Sequence, residues 1–315
     1  MLHLAFRSNF ALMHTLSVNV VAPIRKFQTA LSAKVPFSIA ELLIAIAVIW
    51  VVAMILRWKW KELITGSITI ALVVYALFCF LWGTYYYGEA PTEAKAVSTE
   101  QLGVVTWYFA QMANDNCCEE PDRAEVLEKS KELYNGYGVK AKGIVCSKIM
   151  SLLDFTGFFS PFTGEANVNI DSPAHDLPAT VAHELAHLQG TAREQEANFL
   201  AVKSSLEYGD RSYVYSAALL AYTHLGNSLY AADYETWNLI SDNLSGSVKE
   251  DLSETREYWD RYDTSVKTVS NKVYESFLYS YGQNLGLKSY GACVDLLVEY
   301  YYEDALAAFQ AYSGS

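Results

Sequence analysis

The residues with the clearest chemical potential form a His-Glu-x-x-His pattern at His183, Glu184 and His187. Residues four apart share one face of an α-helix, so both imidazoles could bind one metal ion. Glu184 would lie at the edge of that face, where it can take a proton from a metal-bound water without binding the metal itself. The pattern therefore predicts a Zn²⁺ site with a general base, and a chance match in an ordinary helix is the alternative.

The flanking residues predict that this pattern lies on a helix. Asp176 could cap the helix, and Pro178 suits a first turn, where a missing N–H costs nothing. Gly190 is suited to the left-handed turn that ends a helix. Three apolar residues would bury the face opposite the metal: Val181, Leu185 and Leu188.

A catalytic zinc site needs a third protein ligand and one open position. Glu194 is the predicted ligand, because Asn198 follows it by four residues and could support a ligand by hydrogen bonding. Glu196 is the alternative ligand. A competing interpretation is a capping box that begins at Thr191, in which Glu194 only stabilises the start of a helix.

The Glu-x-x-x-Asn arrangement resembles the Glu-x-x-x-Asp of gluzincin peptidases, in which the Glu is the third ligand. Two departures are Asn198 in place of Asp and a shorter spacing from the second histidine. The short spacing around Gly190 resembles the metzincin pattern instead. However, Arg193 occupies the third-histidine position of that pattern and cannot bind a metal. No methionine follows Met150 to form a Met-turn, so the resemblance implies the gluzincin type.

The composition indicates a membrane-attached protein. The chain has 315 residues, of which 52% are hydrophobic and 18% charged, enough for one large domain with additional segments. Residues 1–84 carry seven basic and two acidic residues, and the other 16 basic and 33 acidic residues follow them. An acidic domain argues against a nucleic-acid partner. The five cysteines have no metal-binding spacing and are predicted to be buried or free thiols.

Two stretches, residues 39–56 and 63–84, are apolar and long enough to cross a bilayer. The loop at 57–61 carries lysines and tryptophans that suit a membrane interface, which predicts a transmembrane hairpin. Residues 8–24 predict an amphipathic segment along the membrane. Two buried helices of a soluble core are the alternative. We therefore divide the chain into a juxtamembrane segment (1–38), two transmembrane helices (39–84) and a catalytic domain (85–315).

The positive-inside rule places the basic loop in the cytoplasm and the catalytic domain outside it, although Arg25, Lys26 and Lys34 are an opposing signal. Residues 88–91 predict a short linker, and Ser98 begins a predicted helix with a capping box. A second helix is predicted at about 121–134.

The region between residues 142 and 170 is β-rich, with a strictly alternating strand at 165–170. Its polar side chains would face solvent or the cleft, where the strand could pair with an extended substrate; an ordinary edge strand is the alternative. From Glu194 the chain is predicted to be helical, with breaks near 209–210, 231–233, 246 and 282–286. His224 is predicted to be a packed core residue and His175 to lie in a solvated loop. One of many tyrosines could stabilise an oxyanion, but no pattern says which.

Four sequence blocks, at residues 35–41, 160–169, 183–198 and 289–297, resemble a family of bacterial multi-pass membrane proteins of unknown function. The resemblance covers nearly the whole chain and implies a membrane-anchored zinc peptidase without a settled substrate. The resemblance implies that family members carry one further span at the N-terminus, which this chain lacks. It therefore implies that the start of this chain is truncated.

The expected fold is mostly α with a small β-sheet: an N-terminal transmembrane hairpin, then a zincin-like α+β domain of gluzincin type with a helical C-terminal half. The expected function is that of a zinc metalloendopeptidase in the cell membrane. Glu184 would be the general base, and His183, His187 and Glu194 would hold Zn²⁺. Expected partners are a peptide or protein substrate and membrane lipid, and the oligomeric state stays open. The alternative is a non-catalytic membrane protein whose ectodomain binds a partner or senses a ligand.

Overall fold

A computed structural model describes residues 8–88, 97–136, 138–280 and 290–314. The linker predicted at 88–91, apart from Gly88, and the break predicted at 282–286 lie outside the described residues. The described chain is mostly helical with one small mixed sheet, as expected. All five cysteines are free thiols.

The N-terminal part is helical throughout. Residues Ile39–Leu56 and Trp60–Gly88 are the two candidate membrane spans, and most of their apolar side chains are exposed. Trp58, in the tight connection between them, has a φ of 54°. The elements are α1 (Phe10–Leu16), a π-helical turn (Ser17–Val21), α2 (Ala22–Ser32), α3 (Ile39–Leu56), α4 (Trp60–Leu81) and α5 (Gly83–Gly88).

The second part holds the sheet and the helix of the metal motif. The helix predicted at 121–134 is instead broken into two short helices with a 3-10 turn between them. The elements are α6 (Thr99–Asn116), α7 (Arg123–Lys129), α8 (Leu133–Gly136), β1 (Lys142–Ile144), α9 (Ser147–Leu152), β2 (Gly157–Ser160), β3 (Glu165–Asn169) and α10 (Leu177–Gln189).

The C-terminal half is helical, with breaks at 209–210 and 233 as predicted. The elements are α11 (Glu194–Tyr208), α12 (Arg211–Ala232), α13 (Tyr234–Asp242), α14 (Gly246–Asp260), α15 (Ser265–Ser280) and α16 (Tyr290–Ser313). Helices α6, α12 and α16 enclose the larger core, and α10 packs its apolar face on the sheet to form a second core.

The sheet has the order β1-β3-β2, with β1 parallel and β2 antiparallel to β3. The prediction that β3 exposes its polar side chains to solvent or substrate is therefore wrong. All five residues of β3 are buried, because both of its edges are paired with neighbouring strands. Glu165 forms an ion pair of 2.6 Å with Lys142. The edge strand next to the metal motif is β2.

The segment before the hairpin is folded onto the domain. Arg25 donates a 2.7 Å hydrogen bond from Nη2 to the carbonyl of Gln189, at the C-terminal end of α10. Thr29 Oγ1 donates to the carbonyl of Gly164 at 2.9 Å. The outward face of α2 is apolar and includes Phe27, which is 71% exposed. The polar face of this amphipathic segment thus contacts protein.

The sheet also holds the start of the first candidate span. Glu165 accepts hydrogen bonds of 3.0 and 2.9 Å from the backbone N–H groups of Ile39 and Ala40. A carboxylate at a helix N-terminus satisfies donors that have no partner within the helix and complements the helix dipole. The buried charge of Glu165 is therefore matched on two sides, by α3 and by Lys142.

Candidate metal centre

Helix α10 carries the His-Glu-x-x-His pattern, as predicted. Val181, Leu185 and Leu188 are buried against the sheet. Pro178 lies in the first turn, and Gly190 ends the helix with a φ of 113°. Asp176 precedes the helix, but its side chain does not cap it and instead accepts a 2.7 Å hydrogen bond from Thr255. The apolar face on the sheet directs the opposite face, with both histidines, toward α11.

Helix α11 begins at Glu194 itself, so the competing interpretation, a capping box that begins at Thr191, is wrong. Glu194 Oε2 lies 3.3 Å from His183 Nε2 and 3.6 Å from His187 Nε2. The two Nε2 atoms are 3.0 Å apart. Starting the helix at residue 194 places Glu194 in the first turn, where it can reach back across the chain turn at Gly190.

Hydrogen bonds on the far side of each ring set the histidine tautomers. His183 Nδ1 contacts Asn198 Oδ1 at 2.7 Å, and His187 Nδ1 contacts the carbonyl of Thr191 at 2.6 Å. Both partners are acceptors, so both Nδ1 atoms carry a proton, and the Nε2 atom of each ring presents a lone pair when that ring is neutral. Three electron-rich atoms therefore face one point, and a cation must balance them.

This donor set fits zinc. Tetrahedral Zn²⁺ with bonds of about 2.0–2.1 Å separates its ligand atoms by about 3.3 Å. The three separations here are 3.0, 3.3 and 3.6 Å. Two neutral imidazoles and a carboxylate are also the protein ligands of many catalytic zinc sites.

Glu184 lies beside the three ligand atoms and is buried. Its Oε2 atom has no hydrogen-bond partner among the described residues. Burial raises the pKa of Glu184 to about 7, against the lowering effect of His183 and His187. A carboxylate that titrates near neutral pH and retains a free lone pair is suited to accept a proton during catalysis.

Gly157 in β2 makes room for this carboxylate. A Cβ atom at Gly157 would lie 2.6 Å from Glu184 Oε1 and 2.7 Å from its Cγ, closer than such atoms pack. The edge strand and the general-base candidate are therefore in direct contact. A glycine within a strand can mark such a close approach, but this signal was not used in the sequence analysis.

The protonation states of His187 and Glu194 depend on each other. Burial alone would lower the pKa of His187, but the Glu194 carboxylate outweighs burial and raises this pKa to about 9. Burial would likewise raise the pKa of Glu194, but the histidines hold it well below its usual range. Without metal, a proton on His187 therefore balances Glu194 at neutral pH.

Tyr274 is a site residue that the sequence analysis missed. It lies on α15, and its hydroxyl donates a 2.6 Å hydrogen bond to Glu194 Oε1, the oxygen that points away from the histidines. Trp82, at the domain end of α4, lies with its ring centroid 6.0 Å from that of His187. Both residues are far from the His-Glu-x-x-His motif in the sequence. Only the tertiary fold places them next to it, so no local sequence pattern could predict them.

The remaining sequence candidates lie elsewhere. Glu196 faces Arg193, with 3.9 Å between Oε1 and Nε, so Glu194 is the carboxylate that meets both histidines. His224 is buried in α12, as predicted, and burial together with His183 lowers its pKa to about 4. The prediction of a solvated loop for His175 is wrong, because its ring is buried and hydrogen-bonded to Thr255 at 2.8 Å.

Comparison with known families identifies the class of this chain. Residues 17–298 match the family described as protein of unknown function (DUF3810). This match spans most of the chain, and the protein belongs to that family. Comparisons with curated proteins and with solved structures give no match.

Proposed function

We propose that this protein is a membrane-anchored zinc metallopeptidase with a gluzincin-type ligand set on a zincin-like domain. The observation that carries the proposal is the convergence of His183 Nε2, His187 Nε2 and Glu194 Oε2, all within 4.8 Å of one another. Asn198 and the Thr191 carbonyl hold the two rings in the tautomers that a metal needs. Tyr274 holds the second oxygen of Glu194, so all three ligands are oriented by partners of their own.

The residues divide the chemistry between them. Bound Zn²⁺ would lower the pKa of a water and polarise the scissile carbonyl. Glu184 would accept the proton of the attacking water on its unpartnered Oε2 and deliver it to the leaving amine. In the metal-free protein, burial raises the pKa of Glu184 to about 7, so its surroundings favour holding a proton on the carboxyl. The edge strand β2, in contact with Glu184 through Gly157, is the element of the sheet closest to the expected scissile bond.

The membrane attachment rests on the two candidate spans. In the proposed topology α3 and α4 form a hairpin in the cell membrane with the basic turn at residues 57–61 in the cytoplasm. Residues 85–315 then lie outside the cytoplasm. The exposed apolar face of α2 and the docking of α3 on Glu165 support an arrangement in which the domain sits on the membrane surface.

The test is metal analysis of the full-length chain in detergent micelles, beside His183→Ala, Glu194→Ala and Glu196→Ala. We expect one zinc ion per chain in the wild type, none in the first two variants and full retention in Glu196→Ala. Loss of zinc only in Glu196→Ala would move the third ligand to that residue. Folded wild-type protein without zinc would refute the peptidase proposal and favour a non-catalytic ectodomain that binds a partner.

A further inference from the structure

An apolar groove of about 700 Å³ lies along α15. One wall comes from the chain between α9 and β2 and the other from α15. The residues that define the apolar groove are Leu153, Phe155, Val266, Val269, Val273 and Phe277. Its volume is in the range of sites that bind small ligands or several side chains of a peptide.

The α15 wall exposes a stripe of aliphatic side chains. Val266, Val269 and Val273 are spaced to lie on one helical face, and they are 49%, 61% and 66% exposed. Exposed β-branched residues in a row are unfavourable in water and mark a surface that an apolar partner covers.

One wall of the apolar groove, and the chain that leads into the other, contact the domain ends of the candidate membrane spans. Glu41, at the start of α3, accepts hydrogen bonds of 3.1 and 2.7 Å from the backbone N–H groups of Val145 and Cys146, which lead into α9. Phe277 of α15 packs on Phe78 of α4, with 5.4 Å between ring centroids. The groove therefore lies next to the bilayer, beside both points where the chain leaves it.

One residue that lines the apolar groove contacts a candidate metal ligand. Tyr274 lines the groove, and its hydroxyl is the donor to Glu194. Phe155 packs edge-to-face on Tyr274 at 5.5 Å and lies two residues before Gly157, which contacts Glu184. The apolar groove and the metal centre are therefore neighbours, with Tyr274 between them.

We infer that the apolar groove is the substrate-binding site for a polypeptide with an aliphatic segment next to the scissile bond, delivered from the membrane surface. This inference rests on the proposed peptidase function and on α3 and α4 crossing the membrane. The groove shares Tyr274 with the metal centre, which favours a peptide over a lipid as the occupant, because an acyl chain gains nothing from lying next to Glu194. The substrate class is therefore membrane-associated proteins or peptides.

The experiment measures peptide binding separately from cleavage. The full-length Glu184→Gln chain, in lipid nanodiscs, is titrated into a fluorescein-labelled peptide with four consecutive aliphatic residues. A second peptide carries serine and threonine at those four positions. The same titrations use the double substitution Val269→Asn and Val273→Asn, and the control Leu239→Asn, an exposed leucine on α13.

We expect the aliphatic peptide to bind at least about tenfold more tightly than the polar one, as burial of several apolar groups requires. The double substitution should abolish this preference, and Leu239→Asn should preserve it. Equal binding of both peptides, or a preference that survives the double substitution, would overturn the inference. If only quenching by brominated lipid responds to the double substitution, the stripe is a lipid contact and the inference also fails.

Cleavage by the zinc-loaded wild type distinguishes the inference from the proposed function. Cleavage of both peptides at equal rates, unaffected by the double substitution, would leave the peptidase intact and refute the groove as its substrate site. Tight, groove-dependent binding without cleavage of any peptide would support the groove and refute the peptidase.

Discussion

Replacement of Glu184 by glutamine should stabilise the metal-free protein above neutral pH while it removes catalysis. The pKa of Glu184 is raised from 4.5 to about 7 because the carboxyl is fully buried. Between these two values the native state holds a proton that the unfolded state has released. Raising the pH therefore favours the unfolded state, and the wild type loses stability across this window.

The size of the effect follows from the shift. One pKa unit corresponds to about 1.4 kcal/mol, so the shift of Glu184 amounts to about 3 kcal/mol. Glutamine cannot ionise, so the Glu184→Gln chain is spared this loss. The stability of the variant minus that of the wild type should rise by about 3 kcal/mol between pH 4.5 and pH 8. The change with pH isolates the charge, because the cost of burying the amide is the same at each pH.

The assay is urea unfolding of both full-length chains in detergent micelles with a chelator, at pH 5, 6, 7 and 8. Glu207→Gln is the matched control, since that carboxylate on α11 is 59% exposed; its difference from wild type should stay within about 0.5 kcal/mol at every pH. If the difference in unfolding free energy between Glu184→Gln and the wild type does not change with pH, the conclusion that the buried charge of Glu184 destabilises the protein is refuted. Turnover by a zinc-loaded Glu184→Gln chain would refute its role as the base.

Three further predictions concern the same centre. Gly157→Ala should displace the Glu184 carboxylate and lower kcat at least about tenfold with unchanged zinc content; unchanged kcat would mean that Glu184 adjusts freely. Asn198→Ala removes the acceptor on His183 Nδ1, so a competition assay with a chelating dye should find zinc affinity about 10–100-fold weaker; unaltered affinity would show that ring orientation does not depend on Asn198. Because the pKa of His187 is about 9 in the metal-free protein, zinc binding must displace its proton, and affinity should rise about tenfold per pH unit from pH 6 to pH 8; a pH-independent affinity would contradict the protonated His187.

The local sequence pattern was sufficient to predict helix α10, which carries the metal motif. The spacing of His183 and His187, the apolar face and Gly190 all act within one helix, so sequence periodicity determines them. The choice of Glu194 also followed from a local relation, its spacing to Asn198, although the structure shows that Asn198 serves His183.

Other features depend on contacts between distant parts of the chain. Tyr274 contacts Glu194 across a sequence separation of 80 residues. No periodic pattern in the sequence predicts that contact. The strand at 165–169 was misread because alternating polar residues normally face water, whereas Glu165 is neutralised by Lys142 and by the start of α3. The alternative capping box at Thr191 does not form, because the helix starts at Glu194 with Arg193 as its N-cap.

The contact of Arg25 with the last turn of α10 has a consequence for biogenesis. Arg25, Glu41 and Trp82 all precede the candidate metal ligands in the chain, and all three touch the domain. During synthesis these groups are therefore made and inserted first, and the metal helix is completed against them afterwards. A fragment released by cleavage after residue 96 would leave them behind in the membrane. We expect such a fragment to be inactive, which would confine peptidase activity to the membrane that holds the anchor.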